Sequence, residues 1–313
     1  MNTILWKPCK NQIKSSQLEA FRLQVNNRFN LNIENYSELH SWSISNISDF
    51  WKAIWGFMAI ESSSNYKQVV DDVNKMPGAK WFEGTRFNFA ENLLRLRSNK
   101  PAIHFQSENK TKKTISYNKL YNEVEKLASS LRKIGVKKGD RIVGYMPNIP
   151  ETVIAMLATT SIGAIWSSCS PDFGTQGVLD RFKQINPRII FATDGYFYKG
   201  KSYNSIKKLE AILKQLPTIE KVVVTPFIEQ NPDITSIENS MVWNDFIDSD
   251  PDTIIFEQVP FDHPLYIMYS SGTTGKPKSI VHGAGGTLIQ HLKELRLHSN
   301  IGTDNTVFYF TTC

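Results

Sequence analysis

The plainest helical spacing in the chain is an apolar stripe through Tyr117, Leu120, Tyr121, Val124, Leu127, Ala128, Leu131 and Ile134, which predicts a helix closed by Gly135 in the position of a C-cap. Short apolar runs alternate with further helical patterns around it. Strands are expected at 102–105, 141–146, 164–168, 188–193 and 221–225, and helices at 151–160, 176–185 and 205–216. Strands alternating with helices of this length build βαβ units, so the pattern predicts an α/β fold with a doubly wound, mostly parallel sheet.

The flanking regions read differently. Ser16-Gln17-Leu18-Glu19 has the form of a capping box, and Leu18, Phe21, Val25 and Phe29 then lie near one helical face. A second helix is expected from Ser48 or Asp49, carrying Phe50, Trp51, Ile54, Trp55 and Met58. Aromatics at that spacing serve packing more readily than they form a cofactor box. Residues 226–260 are rich in Pro, Asp, Asn and Ser and read as a long connection with one short helix near the apolar island 241–247. Beyond it, 265–269 and 280–282 are buried-strand candidates. The run 287–298 is helical, with Thr287 as its cap and Leu288, Ile289, Leu292 and Leu295 on one face, and 307–310 reads as a final buried strand.

Composition narrows the function classes. A chain of 313 residues suggests one large or two smaller domains. Its net charge of +6 is spread without long basic runs. That describes a solvated surface with a modest bias toward anionic ligands such as nucleotides, not a nucleic-acid footprint. Cys9, Cys169 and Cys313 are odd in number and lack metal spacing, so no disulfide or zinc site is expected and a reducing cytoplasm fits. Residues 1–8 show no signal-peptide core, and no apolar stretch is long enough to span a bilayer.

The strand candidate 265–269 leads into Ser270-Ser271-Gly272-Thr273-Thr274-Gly275-Lys276-Pro277-Lys278, a loop suited to phosphate. Gly272 and Gly275 let backbone N–H groups turn toward an anion, the Ser and Thr hydroxyls add donors, and Lys276 and Lys278 supply point charges. It is not a Walker A loop, because Ser270 stands where that motif needs its first glycine and Pro277 follows the lysine.

From Tyr269 to Lys278 the chain resembles the phosphate loop of the adenylate-forming enzymes, which include acyl-CoA synthetases, luciferases and peptide-synthetase adenylation domains. Three further stretches, running from Trp81 to Leu94, from Gly163 to Gly174 and from Ile280 to Gly283, are most similar to the acetoacetyl-CoA synthetases within that family. The resemblance implies residues 1–96 as a helical accessory region of the acetyl- and acetoacetyl-CoA synthetase type and 97–313 as an incomplete AMP-binding domain. It implies ATP, Mg²⁺ and CoA as the working molecules and acetoacetate as the acid joined to CoA through an acyl-adenylate. Acetate or propionate is the alternative acid, and a catalytically silent nucleotide-binding or interaction fragment of a split gene is the alternative role.

By the same resemblance His282 is a candidate lining residue of the nucleotide site, and Lys201, in Tyr198-Lys199-Gly200-Lys201, a candidate for the phosphates of CoA. No acid/base pair is required, since the substrate carboxylate is itself the nucleophile on the α-phosphorus. Trp166 reads as core, and Cys169 has no basic neighbour to make it a nucleophile. The family's adenine and ribose motifs, its Mg²⁺-linked glutamate and its catalytic lysine have no counterpart before Cys313. The Mg²⁺ ligands are therefore expected beyond this chain, and an interrupted or split gene is expected, with a downstream product as partner. The chain alone is expected not to make acetoacetyl-CoA.

Overall fold

The computed structural model describes residues 5–270, 275–309 and 311. It divides into two compact units, one formed by residues up to Arg86 with 260–262 and 285–309, the other by 87–259 and 263–284.

The second unit is organised by a seven-stranded sheet. In chain order its strands are β1 (Arg141–Tyr145), β2 (Ile165–Cys169), β3 (Ile189–Thr193), β4 (Lys221–Thr225), β5 (Ser240–Val242), β6 (Pro264–Tyr269) and β7 (Ser279–Gly283). They lie side by side as β5-β4-β3-β1-β2-β6-β7. All neighbours are parallel except β6 and β7, which pair antiparallel. Residues alternate between the faces. Ile142, Trp166, Phe191 and Val223 point into a core shared with the helices Tyr117–Lys133 and Pro150–Ser161, whereas Val143, Ile165, Ile190, Val222 and Ile267 enter a second core with Thr175–Phe182 and Ile206–Leu213. Burial on both faces is what a doubly wound sheet requires, and it explains the nearly continuous apolar runs of the central strands.

Local chemistry sets the element ends. Ser116 caps the long helix by accepting the Lys119 N–H at 3.2 Å. At its other end Gly135, at φ +80°, allows Gly135 N–H to reach the Arg132 carbonyl at 2.9 Å and Val136 N–H the Leu131 carbonyl at 3.0 Å, the Schellman arrangement. Gly144 in β1 has a different purpose. A Cβ there would sit 2.8 Å from the Trp166 ring, so the missing side chain is the space that the indole fills.

The first unit is mostly helical: Gln17–Phe29, Tyr36–Ser45, Ile47–Phe57 and the segment from Gly285 onward. Phe21 is fully buried and meets Phe50 and Phe57 edge-on at 6.0 and 5.3 Å, while Trp55 stacks on Phe82 at 4.6 Å. The aromatic face is packing, as its spacing suggested.

Several expectations are corrected. The capping box at Ser16 is half formed: Ser16 accepts the Glu19 N–H at 3.1 Å, but the Glu19 carboxylate is bound by Arg22 at 2.6 and 2.8 Å. The second aromatic helix begins at Ile47, and the helix Tyr36–Ser45 before it was not anticipated. Strand 102–105 is the first arm of a hairpin, Pro101–Gln106 with Lys112–Ser116, whose second arm is too charged to read as a strand. The last helix starts at Ala284 and not at a Thr287 cap. Gly285 and Gly286 obscure that start, yet Gly285 is needed because a Cβ would lie 2.2 Å from the Phe261 ring. A π-helical turn at Glu294–His298 then rotates the apolar face, leaving Leu295 exposed and burying Leu297. Val307, Phe308 and Tyr309 are exposed and form no strand, since among the described residues no ladder partner satisfies their backbone; Phe310 lies outside the described residues.

Candidate functional site

Open parallel sheets bind ligands outside the carboxyl ends of their strands, beside the point where neighbouring crossovers leave toward opposite faces. Here the connection after β1 and the connection after β2 lead to helices on different faces, and β6 lies beside β2. The loop after β6 therefore emerges at the expected place.

Of the sequence-predicted loop residues, Ser271, Gly272, Thr273 and Thr274 lie outside the described residues. The two legs are defined. Ser270 N–H donates to the Lys278 carbonyl at 3.1 Å, and Lys278 N–H donates back to Ser270 Oγ at 3.2 Å, closing the base of the loop. The Ser270 hydroxyl keeps its own hydrogen as a donor. Gly275 is at φ +151°, and Lys276 and Lys278 are exposed with their charges in solvent. Ser270, Gly275, Lys276 and Lys278 are thus brought together.

His282 is exposed on β7 and sits opposite Tyr266, at the end of the hairpin remote from the loop. At about 3.4 Å per residue it stands roughly 10 Å along the strand from Ser279. Lys201 is exposed on a hairpin after β3, Gly195–Tyr198 with Lys201–Asn204, whose tight turn places Lys199 and Gly200 at φ +51° and +74°. Two strands, β1 and β2, lie between β3 and β6, so Lys201 and the loop share the carboxyl edge of the sheet without adjoining.

The floor beside the loop is buried and hydrogen-bonded. Tyr145 donates its hydroxyl to the carbonyls of Pro171 and Phe173, at 2.9 and 3.1 Å. Ser167 donates to the Ile267 carbonyl at 2.7 Å and lies 3.3 Å from the Tyr269 hydroxyl. Arg181 stands over the Phe173 ring at 4.6 Å and the Tyr269 ring at 5.7 Å. Burial pushes the Cys169 thiol up to about 12 and the Tyr269 hydroxyl up to about 12. Cys169 is therefore an inert core thiol at neutral pH. Trp166 is also core, 5% exposed.

Two contributors were not found in the sequence. Gln184 reaches both the Pro277 carbonyl and the Ser279 hydroxyl, at 2.8 and 3.0 Å. Asp194, fully buried at the end of β3, accepts the N–H groups of Phe227 at 2.7 Å, Ile228 at 3.1 Å and Glu229 at 2.8 Å, and so shapes the loop after β4. A single Gln in a polar helix end carries no motif. An Asp directly after a buried strand and before Gly195 was the available signal for the second.

Comparison with known proteins agrees with this geometry. Residues 89–312 match the family model described as AMP-binding enzyme, and residues 36–93 match the one described as acetyl-coenzyme A synthetase N-terminus. Acetoacetyl-CoA synthetase of Danio rerio is 45% identical over 99% of this chain and 47% of its own length. The acetoacetyl-coenzyme A synthetase of Rhizobium meliloti is 43% identical, again over 99% of this chain and 47% of its own. The solved structure of acetoacetyl-CoA synthetase from Streptomyces lividans superposes with a TM-score of 0.94 at 38% identity, covering 99% of this chain and 48% of that one. The chain spans about half the length of the curated relatives it matches. With residues 89–312 matching its model, the chain belongs to the AMP-binding enzyme family.

Proposed function

We propose that this chain supplies the ATP-phosphate-binding part of a ligase that joins acetoacetate to coenzyme A. The observation that carries the reading is the segment between β6 and β7, whose sequence holds glycines and hydroxyls and whose described residues set two exposed lysines beside Ser270 at the carboxyl edge of the sheet. In the proposed reaction the acetoacetate carboxylate attacks the α-phosphorus of ATP; a new carboxyl-oxygen-to-phosphorus bond forms as the bond to the β-phosphate bridging oxygen breaks, releasing pyrophosphate. The CoA thiol then displaces AMP from the acyl carbon. Lys276, Lys278 and the hydroxyls of 270–274 would hold the β- and γ-phosphates and neutralise the charge that grows on the leaving pyrophosphate.

The donor set fits a triphosphate. Among the described residues no group of three or more His, Cys, Asp and Glu could hold a metal ion. Lys201 is the proposed contact to the CoA phosphates and His282 the proposed lining residue. Acetoacetate is favoured over acetate by the relatives' names, and a reducing compartment by the free thiols of Cys9 and Cys169. No helix among the described residues is long and apolar enough to cross a membrane.

The test is pyrophosphate release with ATP, CoA and either acetoacetate, acetate or propionate. It is run with this chain alone and with a segment matching the rest of the relatives supplied in trans. Acetoacetate-dependent release is expected only with the segment supplied in trans, and Lys276→Ala should abolish it. Equal turnover with acetate would move the reading to an acetyl-CoA synthetase, and ADP with phosphate as products would reject adenylation.

A further inference from the structure

We propose that Gln184 is a positioning residue that clamps the lysine-bearing leg of the phosphate loop and thereby sets its affinity for the triphosphate. The inference rests on the phosphate reading of that loop. Its basis is the peptide unit joining Pro277 to Lys278, which is held at both ends. Its carbonyl accepts from Gln184 Nε2 at 2.8 Å, and its N–H donates to Ser270 Oγ at 3.2 Å. The other end of the Gln184 amide accepts from Ser279 Oγ at 3.0 Å, one residue further along the same leg. The side-chain amide thus spans the leg from Pro277 to Ser279 with one donor and one acceptor, and its Nε2 is anchored to its own segment through the Asp180 carbonyl at 2.6 Å.

The clamp acts where order is otherwise hard to obtain. Gly275, Lys276 and Lys278 are exposed, Pro277 has no N–H to offer, and among the described residues β7 is an edge strand paired on one side only. A leg that carries two charges and wanders must be ordered each time it binds phosphate, and that ordering weakens binding. Fixing the peptide between Lys276 and Lys278 in advance fixes the origin of both side chains. Gln184 follows the helix Thr175–Phe182, which packs on the sheet through the buried Val178, Leu179 and Phe182, so the clamp ties the loop to a rigid element.

Gln184→Met keeps the side-chain length and removes both hydrogen-bonding ends; Ser279→Ala removes one partner. Gln184 is exposed and lies outside the core, so the urea midpoint of Gln184→Met should fall by no more than the about tenfold loosening of this leg accounts for. Amide exchange of the peptide covering 275–279 should accelerate about tenfold in Gln184→Met. The Kd for ATP·Mg²⁺, and for inorganic tripolyphosphate, should rise about tenfold, the equivalent of two ordinary hydrogen bonds. Combined with Ser279→Ala the losses should be non-additive, since the two residues share a bond. Unchanged exchange overturns the clamp, and faster exchange with unchanged affinity overturns its bearing on phosphate. If the parent chain binds neither ATP·Mg²⁺ nor tripolyphosphate, the phosphate reading fails and the proposed bearing on phosphate falls with it, while the exchange measurement still decides whether Gln184 holds the leg.

Discussion

Replacing Asp194 tests the idea that the carboxyl edge of the sheet is shaped by one buried charge. Its carboxylate is fully buried and accepts N–H groups from three consecutive residues, Phe227, Ile228 and Glu229, at 2.7 to 3.2 Å. Hydrogen bonds to a charged group contribute about 1.5–3 kcal/mol each, offset by several kcal/mol for desolvating the carboxylate. Asp194→Ala leaves these N–H groups without their acceptor. Glu229 is exposed and can recover water, whereas Phe227 and Ile228 are partly buried and recover less. The expected net loss is about 3 kcal/mol. Asp194→Asn keeps one acceptor oxygen but turns an NH₂ toward N–H donors, for a loss of about 2 kcal/mol. Urea titration followed by tryptophan fluorescence reads both, because Trp166 and Trp243 lie in the adjoining core. An unchanged m-value with a shifted midpoint is the expected form. A loss below about 1 kcal/mol for Asp194→Ala would refute the reasoning, for it would mean that the carboxylate recovers no more than its desolvation.

Gly144→Ala should destabilise by about 1–3 kcal/mol, as the new methyl must displace the Trp166 ring from 2.8 Å, and a shift in Trp emission should accompany the lower urea midpoint. Cys169 and Tyr269, with ordinary values of 9.0 and 10.0, stay neutral in the folded chain up to about 12, while the unfolded chain ionises them earlier. The stability this represents is complete below about pH 9 and is lost as pH rises toward 12; Cys169 accounts for about 4 kcal/mol at the upper limit. Urea midpoints at pH 8 and pH 10.5 should therefore differ, and Cys169→Ala should flatten that slope. In the native chain at pH 8, iodoacetamide should modify exposed Cys9 and spare Cys169.

The fold was legible where burial dictated residue type. In the stripe that begins at Tyr117, Leu120, Val124, Leu127, Ala128 and Leu131 are buried as the spacing indicated while Ile134 at its end is exposed, and the apolar runs ending at Thr193 and Thr225 form the strands they were read as. Legibility failed where a residue's purpose was tertiary. Gly285 reads as a helix breaker, but it admits the Phe261 ring. Leu295 fits a helical face until the π turn rotates it outward. The hairpin arm Lys112–Ser116 is charged because only Ile115 within it is fully buried. For the site, the lysines and hydroxyls of the loop announce their chemistry by composition. Gln184 and Asp194 act through backbone groups distant in sequence, and such partners leave no local pattern.

Isothermal titration of the chain with ATP·Mg²⁺, compared with Lys276→Ala and Lys278→Ala, addresses the phosphate loop most directly. Loop and lysines acting together predict saturable heat that weakens as salt is added, with an affinity reduced about tenfold or more when either charge-assisted contact is removed. Absence of heat at millimolar nucleotide, or binding indifferent to both lysines, would contradict the assignment of this loop to phosphate.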